Sequence, residues 1–242
     1  MKKLFILIGV ISVMMSCDED GKFTDIGDLE FDSYVIENYM NDAKQLYYHE
    51  IIQNHSHANF NNPVMNENEV DKILGIIQAV YNADVPERDT VFDIYKIHGY
   101  YCYSLSSISL KVKTELPEIQ NLANGIFPTG NASLDDLLNA YRFDSVSVSY
   151  DYPSFPWLTI YTKGEYNMIP VEKAFGDIKS VQIAEFNKGC IGDGNHITLI
   201  RKSDYAIITF SIGYGDCPAG CIYHRYWEFK VSDGGARFIK AY

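Results

Sequence analysis

Basic residues are scarce in this chain: 20 Lys and Arg stand against 32 Asp and Glu, for a formal charge of −12. They nowhere cluster, so the surface repels phosphate backbones and no nucleic-acid partner is expected. Long apolar runs are also missing. Residues 4–15 form an apolar run that falls well short of the roughly 18–20 residues a membrane-spanning helix needs. There is no phosphate-binding glycine loop, no G-x-S-x-G elbow and no internal repeat, which excludes P-loop enzymes, α/β-hydrolase catalysis and repeat architectures. The histidines do not form a motif either. In His49-Glu50-Ile51-Ile52-Gln53, Gln53 stands where a zinc-protease helix needs its second histidine. His98, His196 and His224 are scattered among strand-like segments. Gly192-Asp193-Gly194-Asn195 has too few oxygens for calcium and reads as a hairpin turn. No catalytic set, cofactor or metal is expected.

What is present starts at the N terminus. Lys2 and Lys3 precede the apolar run, and Ser16-Cys17 closes it. This order resembles a bacterial lipoprotein signal peptide, which implies cleavage before Cys17 and lipidation of that cysteine. Loss of Lys2 and Lys3 takes the mature charge to −14, on a chain of about 225 residues. Asp18-Glu19-Asp20-Gly21 resembles the acidic export tag of surface lipoproteins of Bacteroidota. That resemblance implies a lipid anchor in the outer membrane with the domain facing outward; a periplasmic orientation is the alternative. Residues 1–17 are read as the signal, 18–31 as a flexible acidic tether and 32–242 as one domain.

Periodicity sets the expected fold. Ile36, Tyr39, Met40, Ala43, Leu46, Tyr47 and Ile51 recur every three or four residues, which predicts an amphipathic helix over 34–52. A second helix is expected over 69–81, with Asn68 and Asp71 resembling a capping arrangement. Ile108, Leu110 and Val112 alternate with polar residues as in a half-buried strand. Residues 91–103 fit either a strand or a short helix. Leu134, Leu137, Leu138 and Tyr141 mark a short helix with Ser133 as its N-cap. Beyond Val146, strands are expected over 157–162, 181–186, 197–201, 205–212, 222–231 and 236–241, joined by short glycine- and aspartate-containing turns. Together these predict an α+β domain, with N-terminal helices packed on a mainly antiparallel C-terminal β-sheet, a meander.

Apart from Cys17, the cysteines are Cys102, Cys190, Cys217 and Cys221, which allow three pairings in an oxidising compartment. The sharpest local feature is Gly213-Tyr214-Gly215-Asp216-Cys217-Pro218-Ala219-Gly220-Cys221, a glycine-rich loop between two expected strands. Its GDCPxGC core, leading into Arg225-Tyr226-Trp227-Glu228-Phe229, resembles a family of uncharacterised exported Bacteroidota proteins, and the resemblance implies no known activity. The segments 88–98 and 191–195 look like the same family. The compartment favours a structural disulfide between Cys217 and Cys221, leaving Cys102 and Cys190 to pair by elimination. A metal site on Cys217, Cys221 and His224 is chemically admissible, but C-x3-C lacks a second cysteine pair, so the disulfide is preferred. A thioredoxin-like role needs C-x-x-C at a helix start, and neither condition is met.

Tyr150, Tyr152, Phe155, Trp157 and Tyr161 form an aromatic stretch broken by Pro153 and Pro156, so a continuous central strand is excluded. Aromatics on a proline-shaped loop stack on sugars or anchor peptides; they also serve as core residues that tuck a loop against a sheet. Tyr150, Tyr152, Phe155 and Trp157 are the candidate ligand-binding set. Asp89-Thr90-Val91 and Asp144-Ser145-Val146 resemble the O-glycosylation signal of exported Bacteroidota proteins, which points to the same compartment. The expected function is therefore an envelope-anchored, non-enzymatic binding module with a glycan or protein partner. A protease inhibitor presenting the disulfide-closed loop, or an enzyme with a dispersed site, are the alternatives.

Overall fold

The structure, a computed structural model, describes residues 30–187, 189, 191–233 and 235–242. Cys17, the segment expected to be a signal, the expected tether up to residue 29, and Cys190 lie outside the described residues. No helix among the described residues is long and apolar enough to cross a membrane.

Helix α1 (Ser33–Gln53) starts at Asp32, whose carboxylate accepts the Tyr34 amide at 2.8 Å and so satisfies one free donor of the first turn. Its apolar spacing buries Val35, Tyr39, Ala43, Leu46, Tyr47 and Ile51 in one core, while Tyr48 enters a second. Helix α2 (Glu67–Tyr81) packs beside α1 through Val70, Ile73, Leu74, Ile77 and Val80. Its cap is Asn66 rather than the expected Asn68, and Glu67 and Glu69 place negative charge on the positive end of the helix dipole. Pro86 opens a short α3 (Pro86–Asp89), continued by a π-helical turn over Thr90–Ile94. The ambiguous stretch from residue 91 is thus helical to 94 and irregular from 96 to 104.

Two antiparallel sheets form where one was expected. The first contains β1 (Ser107–Val112), β2 (Phe143–Val148), β3 (Trp157–Thr162) and β4 (Val181–Glu185), in the order β2-β3-β1-β4. Three short helices, α4 (Pro117–Ala123), α5 (Ala132–Ala140) and α6 (Met168–Gly176), pack Ile119, Leu122, Leu134, Leu138, Val171 and Phe175 with Leu110, Leu158 and Ile160. The α5 cap is Asn131, which accepts the Leu134 amide at 3.1 Å; the expected Ser133 lies inside the helix. The second sheet is the C-terminal meander: β5 (His196–Arg201), β6 (Ala206–Tyr214), β7 (Tyr223–Ser232) and β8 (Gly235–Ala241). Period-two burial turns Trp227, Phe229 and Val231 of β7 toward α1 and α2, and leaves His224, Tyr226, Glu228 and Lys230 on the opposite face.

Polar fastenings join these layers. Arg201 on β5 grips Glu50 of α1 through two nitrogens and Glu69 of α2 through a third, at 2.8 Å. Burial would favour the neutral form of Glu69, but the bonds from Lys72 and Arg201 hold its carboxyl below the usual range. Buried Asp42 on α1 pairs with His98 Nδ1 and accepts the Gly99 amide, each at 2.8 Å, which anchors the irregular 96–104 segment.

Candidate functional site

Strands β6 and β7 are joined by residues 215–222, and the Cys217–Cys221 disulfide closes that link as expected. Pro218 lies in a single 3-10 turn over Cys217–Ala219. Gly215 and Gly220, at φ of 99° and 108°, make the left-handed reversals on either side. The loop is braced from below by residues 191–195. The Asp193 amide donates to the Cys217 carbonyl at 2.9 Å. A Cβ on Gly192 would lie 2.7 Å from that oxygen, so any side chain there would push the two segments apart.

The turn that braces the loop also carries a charged centre. Asp193 accepts from His196 Nε2 at 2.6 Å, from His224 Nε2 at 2.9 Å and from the Gly194 amide at 2.7 Å. His196 opens β5 and His224 lies on the outward face of β7, their rings stacked 5.9 Å apart. The His196 bond, then the Gly194 amide and the His224 bond, hold the Asp193 carboxyl well below the usual range against the opposing effect of burial. Both imidazoles use Nε2, so in the neutral ring the lone pair sits on Nδ1. His224 Nδ1 is buried and has no hydrogen-bond partner. His98 does not join them; it is held by Asp42 and stacks on Tyr39 at 4.6 Å.

Exposed apolar groups surround this end of the sheet. Tyr214 and Tyr223 face each other across β6 and β7 with rings 5.4 Å apart, and Ile222 stands beside them. Ile191 is 91% exposed, and its carbonyl accepts the Tyr100 hydroxyl at 3.1 Å. The Tyr100 amide donates to Asn195 at 2.7 Å. On the outward face, the His196–His224 stack continues to Tyr226 and Tyr242, at 5.8 and 4.9 Å. A cavity of about 320 Å³ lies between α1, residues 100–103 and β5, with His49, Glu50 and His196 on its walls. Cys102 also lines it and is itself disulfide-bonded; its expected partner, Cys190, lies outside the described residues.

The aromatic set expected to bind ligand sits elsewhere, in the β2–β3 connection of the first sheet. Tyr150 is fully exposed, and Phe155 is exposed beside half-buried Trp157 at 6.2 Å. Tyr152 turns the other way and packs against the second core. Sequence reasoning therefore found the disulfide but took Asp193 for a turn residue. The available signal was the D-x-x-H spacing of Asp193 and His196 between tight glycines.

Replacing Asp193 by asparagine tests the charged centre. A carboxyl with a depressed folded pKa stabilises the fold above its unfolded pKa, near 4, and loses that contribution as pH falls below it. Asp193→Asn should therefore melt below the parent at pH 7, and the gap should narrow progressively as the pH falls from about 4 toward 2. Melting curves over that range check it; a gap that is constant with pH would contradict the assignment.

No protein-family model, curated protein or solved structure matches the chain.

Proposed function

We propose that this is an envelope lipoprotein, anchored to the outer membrane through Cys17, that works as a non-enzymatic binding module. Its contact surface is the disulfide-closed end of the second sheet. The observation that supports this reading is the exposed ring of Tyr100, Ile191, Tyr214, Ile222 and Tyr223 around a loop fixed by a disulfide and by the 191–195 turn. Exposed apolar groups gathered in one place mark contact surfaces, and a loop that is already ordered loses little entropy on binding. The ring mixes aliphatic Ile191 and Ile222 with its tyrosines, and this mixture of aliphatic and aromatic contacts suits a protein or peptide partner. The inhibitor reading draws less support, because Cys217–Ala219 is a tight turn rather than an extended segment.

The test is photo-crosslinking in intact cells, with a photoreactive residue placed at Ile222 or, as a control, at exposed Ile183 on β4. Adducts are expected from position 222 alone. They should disappear in a Tyr214→Ala/Tyr223→Ala background whose melting temperature falls by no more than about 2 °C. Cys17→Ala should move the protein from the membrane to the soluble fraction. Equal adducts from both positions, or none from 222, would overturn the contact surface, and a Cys17→Ala protein still in the membrane would overturn the anchor.

A further inference from the structure

The disulfide, an imidazole and a carboxylate meet at one point beneath the loop. A carboxylate oxygen of Asp193, Cys221 Sγ and a ring nitrogen of His224 all lie within 4.8 Å of one another. Ligand atoms around one tetrahedral zinc are about 3.5 Å apart, so side-chain adjustments of about an ångström would bring these three onto a single ion.

Gly213 makes the convergence possible. A Cβ there would sit 2.5 Å from Cys221 Sγ, 2.6 Å from the Gly194 carbonyl and 2.9 Å from His224 Cε1. His224 supplies the second feature. Its Nε2 lies 2.9 Å from Asp193 Oδ2, so an ion that takes the place of the hydrogen between them meets both ligands at once, and that hydrogen moves to Nδ1. The third is the bridge itself. It spans four residues of sequence, and closing so small a loop restricts the unfolded chain little, so opening it leaves most of the stability in place.

We propose that Cys221, His224 and Asp193 form a zinc site that the Cys217–Cys221 bridge keeps shut and that reduction opens. In the step, a dithiol transfers two electrons and two protons to the bridge; the S–S bond breaks, two thiols form, and the dithiol becomes its own disulfide. Zinc then replaces the Cys221 thiol proton, which leaves to solvent. Thiolate, imidazole and carboxylate together suit zinc. The fourth position is left for Cys217, whose sulfur is one bond away in the shut state, or for water.

The experiment uses the full chain in detergent, oxidised or reduced with dithiothreitol and desalted without oxygen, then mixed with zinc chloride and desalted again. About one zinc per reduced chain and none per oxidised chain is expected. Reduced Cys221→Ser, His224→Gln and Asp193→Asn should each retain less than about a tenth of it. Reduced Cys102→Ser should bind like the parent. Zinc should raise the melting temperature of the reduced parent and not that of His224→Gln. The proposal is overturned by zinc on the oxidised chain, by no zinc on the reduced parent, or by zinc retained in His224→Gln. Equal loss in Cys102→Ser, or loss of the native circular dichroism on reduction alone, overturns it as well. None of these outcomes bears on the tyrosine-ringed contact surface, which the crosslinking tests separately.

Discussion

Phe210→Ala should destabilise the protein by about 4 kcal/mol and lower its melting temperature by about 8–16 °C. Phe210 is completely buried on β6, an interior strand of the second sheet, with its ring 5.6 Å from Phe92 and 6.2 Å from Phe229. Its backbone lies between two ladders, opposite Ile197 on β5 and Trp227 on β7. Strands tied on both sides do not collapse into a void, so most of the cavity left by the ring persists and the cost falls in the upper part of the usual range. Thermal melting by circular dichroism checks the value. Phe155→Ala, at an exposed position, should shift the melt by no more than about 2 °C. Similar shifts for the two variants would mean that the first core is not built as described.

Asn167→Ala should destabilise by about 3 kcal/mol and lower the melt by about 6–12 °C. The side chain is fully buried, and its Nδ2 donates to the carbonyls of Asn59, Phe60 and Asn62 at 2.9–3.0 Å. Its Oδ1 accepts the Ile169 amide at 3.1 Å and caps α6. Alanine would remove the cap and the buried side-chain donor that ties the carbonyls of Asn59, Phe60 and Asn62 to α6, and the second loss is the larger. Asn167→Asp separates the two effects. It keeps the acceptor for the cap but turns a carboxylate toward three carbonyl oxygens, so it should melt no higher than the alanine variant. An aspartate variant that melts near the parent would assign the stabilisation to the cap alone.

These two residues also show what the sequence made legible. Phe210 lies in a segment whose alternation predicted a strand, and the long helices α1 and α2 were equally plain from their apolar stripes. Asn167 carried no such signal, because its partners lie more than a hundred residues away in a polar loop. Helix α4 spans only 7 residues, too few turns to establish a 3.6-residue period, and α6 carries Pro170 in its first turn, which reads as a break. The caps of α2 and α5 were misplaced by two residues because two cap-forming side chains stand close together at each helix start. Strand periodicity reports burial but not pairing: β1 pairs with β3 and β4 across long stretches of chain, so the division into two sheets was hidden. At the candidate site the disulfide followed from compartment and loop chemistry. The Asp193 centre did not, because its second histidine is 31 residues away and reaches it only through the β5–β7 register.

Helix α1 belongs to both cores, and this constrains the order in which the chain acquires its structure. Tyr48 accepts the amide of Met168, 120 residues downstream, and Glu50 is bound by Arg201, 151 residues downstream. The first helix among the described residues is therefore completed by some of the last strands. Long-range closures of this kind slow folding, because chain entropy is lost before the contacts that offset it can form. A chain truncated before β5 would leave Val35, Tyr39 and Leu46 without the sheet that covers them, so N-terminal fragments should remain unfolded rather than form a stable half-molecule. The nascent protein thus stays extensible until nearly all of it has been synthesised.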